Sequence, residues 1–271
     1  MEIAHHLKQL YHPIQPTIKQ SDDEVLYTEI MPAIELQNMI YCYWQLKTKK
    51  KLSEPFIYRV VADGCIDIFF ELSKPEENFA MGFCKKFTAF PLENYFNYIG
   101  IRFLPTMFPQ LFQINAIQLS NRFEHLKNII PNTSQFISDH ISDHMNLAEA
   151  KNTFDSYFIE LVKRSTFNYD TRLYAAIEII LNNYGVIDIE KDLDTGISPR
   201  QLRRLFEYYI GDTAKTFSQV VRFQNILKAK PSSQSLRQNK MFYENGYYDQ
   251  AHFIKEFKNF YGVTPSKAFG R

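Results

Sequence analysis

Between Val25 and Phe103 the apolar residues come in short β-branched and aromatic runs: Val25 to Ile30, Met39 to Leu46, Phe56 to Ala62, Cys65 to Leu72, Phe79 to Cys84 and Tyr95 to Phe103. Turn residues separate them and no long helical period intervenes, so the pattern predicts an antiparallel sheet, a sandwich or a small barrel. Asp63-Gly64, lying between two of these runs, is the signal of a tight hairpin, because both residues tolerate the positive φ of a type I′ turn. Beyond Pro105 the spacing becomes helical, with Leu111 and Phe112 in one segment and Ile117, Phe123 and Leu126 in others. From Asn146 to Val162 a stripe of Leu147, Ala150, Phe154, Phe158 and Leu161 predicts a longer helix. These helices are expected to cover the sheet or to form a dimer surface. Lys163 to Asn168 is short, polar and helix-poor, the candidate linker.

Downstream, Leu173, Ile177, Ile180, Leu181 and Tyr184 form the stripe of a support helix over Arg172 to Tyr184, which Gly185 ends in the left-handed cap position. A short helix over Asp188 to Thr195, the turn glycine Gly196 and a second helix follow. Ser198 and Gln201 form a capping box there, with Pro199 at the favoured first position. Leu202, Leu205, Phe206 and Tyr209 point inward, while Arg200, Arg203, Arg204 and Glu207 lie outside. A long helix over Thr213 to Lys228 precedes a second unit, in which Asp249 is the N-cap and Phe253, Phe257 and Phe260 the inward stripe. Gln250, His252, Lys255 and Asn259 remain outside. The layout is that of two helix-turn-helix units in an all-α domain, and the whole is α+β.

Charge sharpens this division. From Ile197 onward there are thirteen basic side chains against five acidic ones, while the residues before it hold eighteen against twenty-five. A basic module beside an acidic one suits attraction to phosphate. An arginine fork can meet the O6 and N7 acceptors of guanine, and Gln201 can do the same for adenine. The competing reading of these charges is a solvated helix face, and His252 can equally be a structural helix residue.

Gly196 to Phe206, Gly246 to Lys258 and the closing phrase Phe260-Tyr261-Gly262-Val263-Thr264-Pro265 resemble the AraC/XylS family of bacterial transcription regulators. Ala62 to Phe69 and Gly100 to Pro105 resemble the N-terminal domain accompanying one branch of it. The resemblance implies a β-rich domain over 1–165, a sandwich or cupin-like barrel with flanking helices, that senses a signal or dimerises. It further implies a DNA-binding domain over 166–271 whose reading helices enter successive major-groove segments about 34 Å apart. Ser198, Arg200, Gln201, Arg203, Arg204, Gln250, His252, Lys255 and Asn259 are the candidate DNA contacts. Three positions depart from the family: Asp192 and Phe242 stand where a small alanine lets the helices pack, and Ala214 where a proline is common. Asp192 and Phe242 keep open an alternative, a drifted regulator acting through effector or protein-partner binding of its first domain.

Other classes find little in the chain. At 45% hydrophobic and 23% charged residues the composition is that of a globular protein. Cys42, Cys65 and Cys84 lie in apolar runs without a Cys-x-x-Cys spacing and read as reduced core thiols of a cytoplasmic protein. No run reaches the twenty or so apolar residues of a membrane span, and Met1 to His6 lacks a signal peptide's order. His140 and His144 stand four apart without the glutamate of a zincin motif, with His5, His6 and His12 elsewhere, so neither a metal nor a cofactor is expected. Phosphate loops and nucleophile motifs are absent from the sequence, and no enzyme is expected. Double-stranded DNA is the expected partner; a small apolar effector in the sheet interior and a homodimer are left open.

Overall fold

The structure is a computed structural model that describes residues 7–16, 24–229 and 246–269. Among the described residues, eight strands make two sheets. Six of them, β1 (Val25–Ile30), β2 (Ile40–Thr48), β4 (Ile66–Glu71), β5 (Asn78–Met81), β7 (Asn97–Phe103) and β8 (Phe123–His125), form one antiparallel sheet in the order β1-β2-β7-β4-β5-β8. The other two, β3 (Phe56–Val60) and β6 (Thr88–Leu92), pair separately.

The six apolar runs thus each contain a strand, but two strands escape the sequence pattern. Strand β6 carries Pro91, a residue confined to edges and bulges because it cannot donate to a ladder, and a two-stranded sheet is all edge. Phe123, expected on a helix, begins the three-residue β8 instead. The Asp63-Gly64 hairpin is also corrected. β3 and β4 do not pair, and the chain crosses there from the small sheet to the large one. Gly64 does hold a positive φ of 72°, and the Asp63 carboxylate accepts from the Cys65 N–H at 3.0 Å.

Alternation along the strands separates two apolar layers. Ile66, Ile68 and Phe70 of β4, with Ile99, Ile101 and Phe103 of β7, face the helices. Residues of the opposite parity, Cys42, Trp44 and Leu46 of β2, pack with Tyr58 and Leu92 of the small sheet. Gly100 stands opposite both Trp44 and Phe69, and a Cβ there would lie 2.0 Å from the indole ring. Only a glycine lets Trp44 lie flat across the sheet.

Helix α1 (Met107–Phe112) follows β7, α2 (Pro131–His140) follows β8, and α3 (Leu147–Arg164) covers the large sheet. The α3 start is a capping box of Asn146 and Glu149. Its Phe154 and Phe158 are fully buried, each contributing about 2–3 kcal/mol. The Asp155 carboxylate accepts from the Tyr43 hydroxyl at 2.9 Å and the Ala33 N–H at 3.0 Å, tying the helix to the sheet. His140 ends α2 and Ile141 is extended, so His140 and His144 do not share a helix face.

Ser165 to Asp170 then connects to α4 (Thr171–Asn182), and the Gln110 side chain both donates to the Asn168 carbonyl and accepts from its N–H. Helices α5 (Pro199–Tyr209), α6 (Ala214–Ala229), α7 (Gln250–Tyr261) and α8 (Pro265–Phe269) complete the described chain. The expected helix over Asp188 to Thr195 is a single turn, closed by the Asp192 N–H donating to the Asp188 carbonyl at 2.8 Å. One continuous buried core contains side chains from both the large sheet and the C-terminal helices. Residues 7–16 help to stitch it: Tyr11 packs its ring 6.2 Å from Phe217, and the Ile14 N–H donates to Gln224 Oε1 at 2.8 Å.

Candidate nucleic-acid interface

Helix α5 starts where the capping chemistry places it. Ser198 Oγ accepts from the Gln201 N–H at 3.3 Å, and Gln201 Oε1 accepts in return from the Ser198 N–H at 3.4 Å. Gly196 makes the preceding bend with φ 73°. Leu202 and Phe206 are buried, while Arg200, Gln201, Arg203 and Arg204 are exposed. The face expected to be outward is outward. Arg203 Nε donates to Glu207 Oε1 at 2.7 Å, but Arg200 and Arg204 have no ion pair among the described residues. Two unpaired guanidinium groups on one exposed helix face are well suited to phosphate or guanine.

Asp192 is accounted for locally. Its carboxylate accepts from the Asp188 N–H at 2.8 Å and closes the turn before Leu193, which is buried. The charge stays at the surface, so the α5 packing survives the missing alanine. Phe242 lies outside the described residues.

Helix α7 begins at an Asp249 cap, whose carboxylate accepts from the His252 N–H at 2.7 Å. Phe253, Phe257 and Phe260 are buried against α6, with Phe223 ring centroids 5.5 Å from Phe257 and 5.2 Å from Phe260. A buried ion pair locks the two helices: Arg222 Nη2 donates to both Glu256 oxygens, at 2.7 and 2.9 Å, beneath the Tyr247 ring. Gln250, His252 and Lys255 are exposed, with His252 Nε2 lying 3.8 Å from Glu256 Oε2. Tyr248 just before the cap is 85% exposed, an aromatic beside the helix N-terminus that the sequence pattern did not single out.

Asn259 has a different occupation. Its Nδ2 donates to the Lys85 carbonyl at 2.8 Å and its own carbonyl accepts from the Phe87 N–H at 3.0 Å. The Phe87 ring covers Gly262. The loop between β5 and β6 therefore grips the end of α7, leaving the first turns of its outer face open. No sequence signal marks Lys85 and Phe87 as partners of that helix. Groups of three or more His, Cys, Asp or Glu able to hold a metal ion are absent among the described residues.

Residues 194–271 match the family described as a helix-turn-helix domain, and residues 28–125 match a domain of unknown function, DUF6597. No curated protein matches the chain. Among solved structures, an apo variant of ToxT from Vibrio cholerae is 11% identical, with 92% of this chain and 98% of that one covered at a TM-score of 0.43. Wild-type ToxT from Vibrio cholerae bound to an unsaturated fatty acid is 10% identical, with 82% and 97% covered at a TM-score of 0.40. No helix among the described residues is long and apolar enough to cross a membrane. The chain thus carries over residues 194–271 a helix-turn-helix domain, the module with which transcription regulators bind DNA.

Proposed function

We propose that the protein is a sequence-specific regulator that acts in the cytoplasm and reads two successive major-groove segments of double-stranded DNA, one with α5 and one with α7. The observation that carries this reading is the face of α5, where Arg200 and Arg204 are exposed, with no ion partner among the described residues, beside a capped helix start. Reading helices contact base edges with their N-terminal residues, and the first turns are the open part of both helices here. Ser198, Arg200, Gln201, Arg203 and Arg204 form the first contact set; Gln250, His252, Lys255 and the added Tyr248 form the second. Asn259, held by Lys85, reaches DNA only if the β5–β6 loop lets go of α7. The division at 165/166 is retained as a functional one, sheet from reading helices, although the two share a core.

In the same reading the sheet domain is the regulatory part. A cavity of about 190 Å³ opens between the two sheets, and we assign it to a small-molecule effector. The alternative, in which the DNA module has drifted, draws its support from Phe242, which lies outside the described residues, and from the grip on Asn259.

Fluorescence anisotropy with a DNA fragment selected by the chain from a genomic pool tests the DNA assignment. Replacing Arg200, Arg203 and Arg204 together with Ala is expected to weaken binding at least about tenfold at physiological salt and to flatten the salt dependence. Unchanged affinity in a variant with intact circular dichroism removes α5 from the interface.

A further inference from the structure

The walls of the cavity between the sheets are aromatic: Trp44, Tyr58, Phe69, Phe79, Phe90 and Phe123 all line it. Their rings are oriented by one another, with Phe69 and Phe79 stacked at 5.6 Å and Phe79 and Phe123 edge-to-face at 5.8 Å. The charged group on this wall is the carboxylate of Asp67. Behind it, Arg102 is 1% exposed and lies 2.9 Å from Asp67, 3.5 Å from Asp63 and 3.8 Å from Glu29. One guanidinium thus faces three carboxylates, so the buried cluster behind this wall holds more negative than positive charge. The Asp67 oxygens accept from Arg102 Nε and Nη2 and from Trp44 Nε1. A carboxylate offers about four lone-pair directions, so one acceptor site remains.

An anion would have to enter this field beside a carboxylate, whereas a cation would find aromatic faces and an acidic partner together. Rings with negative faces bind ammonium groups, most strongly when the site is desolvated. A dry cavity of roughly 150 Å³ holds one benzene ring, so this one has room for a ring and a short substituent.

We infer that the effector cavity takes a small aromatic or aliphatic organic cation, a primary amine or quaternary ammonium, with its charged head toward Asp67 and its apolar body among Phe69, Phe79 and Phe90. This rests on the effector reading above and names its ligand class. The site has its own reporter, because Trp44 is the chain's one tryptophan.

The test is a titration of the full chain with phenethylamine, benzyltrimethylammonium, the neutral 2-phenylethanol and the anionic 3-phenylpropionate, read by Trp44 emission and by thermal shift. The two cations are expected to bind at least tenfold more tightly than the neutral and anionic probes. Asp67→Asn is expected to erase that preference. Should Asp67→Asn fail to fold, the intact chain is titrated at pH 8 and pH 5 instead: protonation of the buried Asp67 carboxyl is expected to weaken benzyltrimethylammonium several-fold while leaving 2-phenylethanol unchanged, and equal affinity for the cation at both pH values overturns the assignment. Tighter binding of the neutral or anionic probe overturns the cation assignment and leaves an effector cavity of another class. No saturable response to any of the four overturns the assignment and the effector reading together.

Discussion

Gly196 and Gly262 both hold positive φ, 73° and 93°, but their surroundings differ. A Cβ on Gly196 would meet nothing within 4 Å, whereas one on Gly262 would lie 2.9 Å from the Phe87 ring. Gly196→Ala is therefore expected to cost only the left-handed strain, about 1–2 kcal/mol. Gly262→Ala adds overpacking, about 1–3 kcal/mol more. Urea denaturation of the two variants measures the difference, and equal losses would mean that Phe87 does not press on α7. At this scale the sequence was most legible where a residue acts on its own backbone. Ser198, Gln201, Asn146 and Asp249 cap because their side chains reach only a few residues along the chain. Asn259 is exposed, as its helical period predicts, but its partner Lys85 lies 174 residues away, and a period carries no information about such a neighbour.

Among the elements, the junction of α6 with α7 depends on the Arg222–Glu256 pair, whose side chains are 11% and 8% exposed. Removing one partner of a buried pair leaves an uncompensated charge, so Arg222→Met is expected to destabilise by about 3–5 kcal/mol. The double variant Arg222→Met, Glu256→Met is expected to recover part of that loss. Thermal unfolding of the three proteins checks it; a double variant worse than the single one would show that the pair is net stabilising beyond its desolvation. Element types were read well where an apolar period ran long, as for α3, α4 and α6. They failed where runs were short or interrupted: Pro91 hid β6, three residues were too few to mark β8, and Asp63-Gly64 gave the same turn signal for a crossing between sheets as for a hairpin. The Asp188 to Thr195 segment shows the same limit, since the local bond from Asp192 closes one turn and no further helical bond follows.

Across the whole molecule, an acidic sheet domain is packed onto a basic reading module through one core, so occupancy of the cavity and presentation of α7 share a framework. β5 and β6 contribute Phe79, Met81 and Phe90 to the cavity, and the loop between them holds Asn259. Asp67 also gives cation binding a pH dependence with a definite sign. Burial pushes its carboxyl up to about 6, opposed by Arg102 and assisted by Asp63. Tyr58, Cys42 and Cys65, which also face this cluster, are pushed far above neutrality by burial, and Glu29 completes the charges around Arg102. Protonation of Asp67 removes the negative charge that a cation meets. Affinity for benzyltrimethylammonium, which does not titrate, is therefore expected to be full above about pH 7 and to fall as pH drops through 6; a flat profile from pH 5 to 8 would separate the ligand from Asp67.

Reading of DNA sequence by α5 and α7 is tested most directly by selection. The purified chain would be mixed with a pool of genomic fragments at low salt and at physiological salt, and the retained fragments sequenced. A reproducible site is expected to be enriched at both salts, with two contact segments about one helical turn apart and affinity falling steeply with salt. Retention without enrichment, or no retention at all, would contradict sequence reading by these helices.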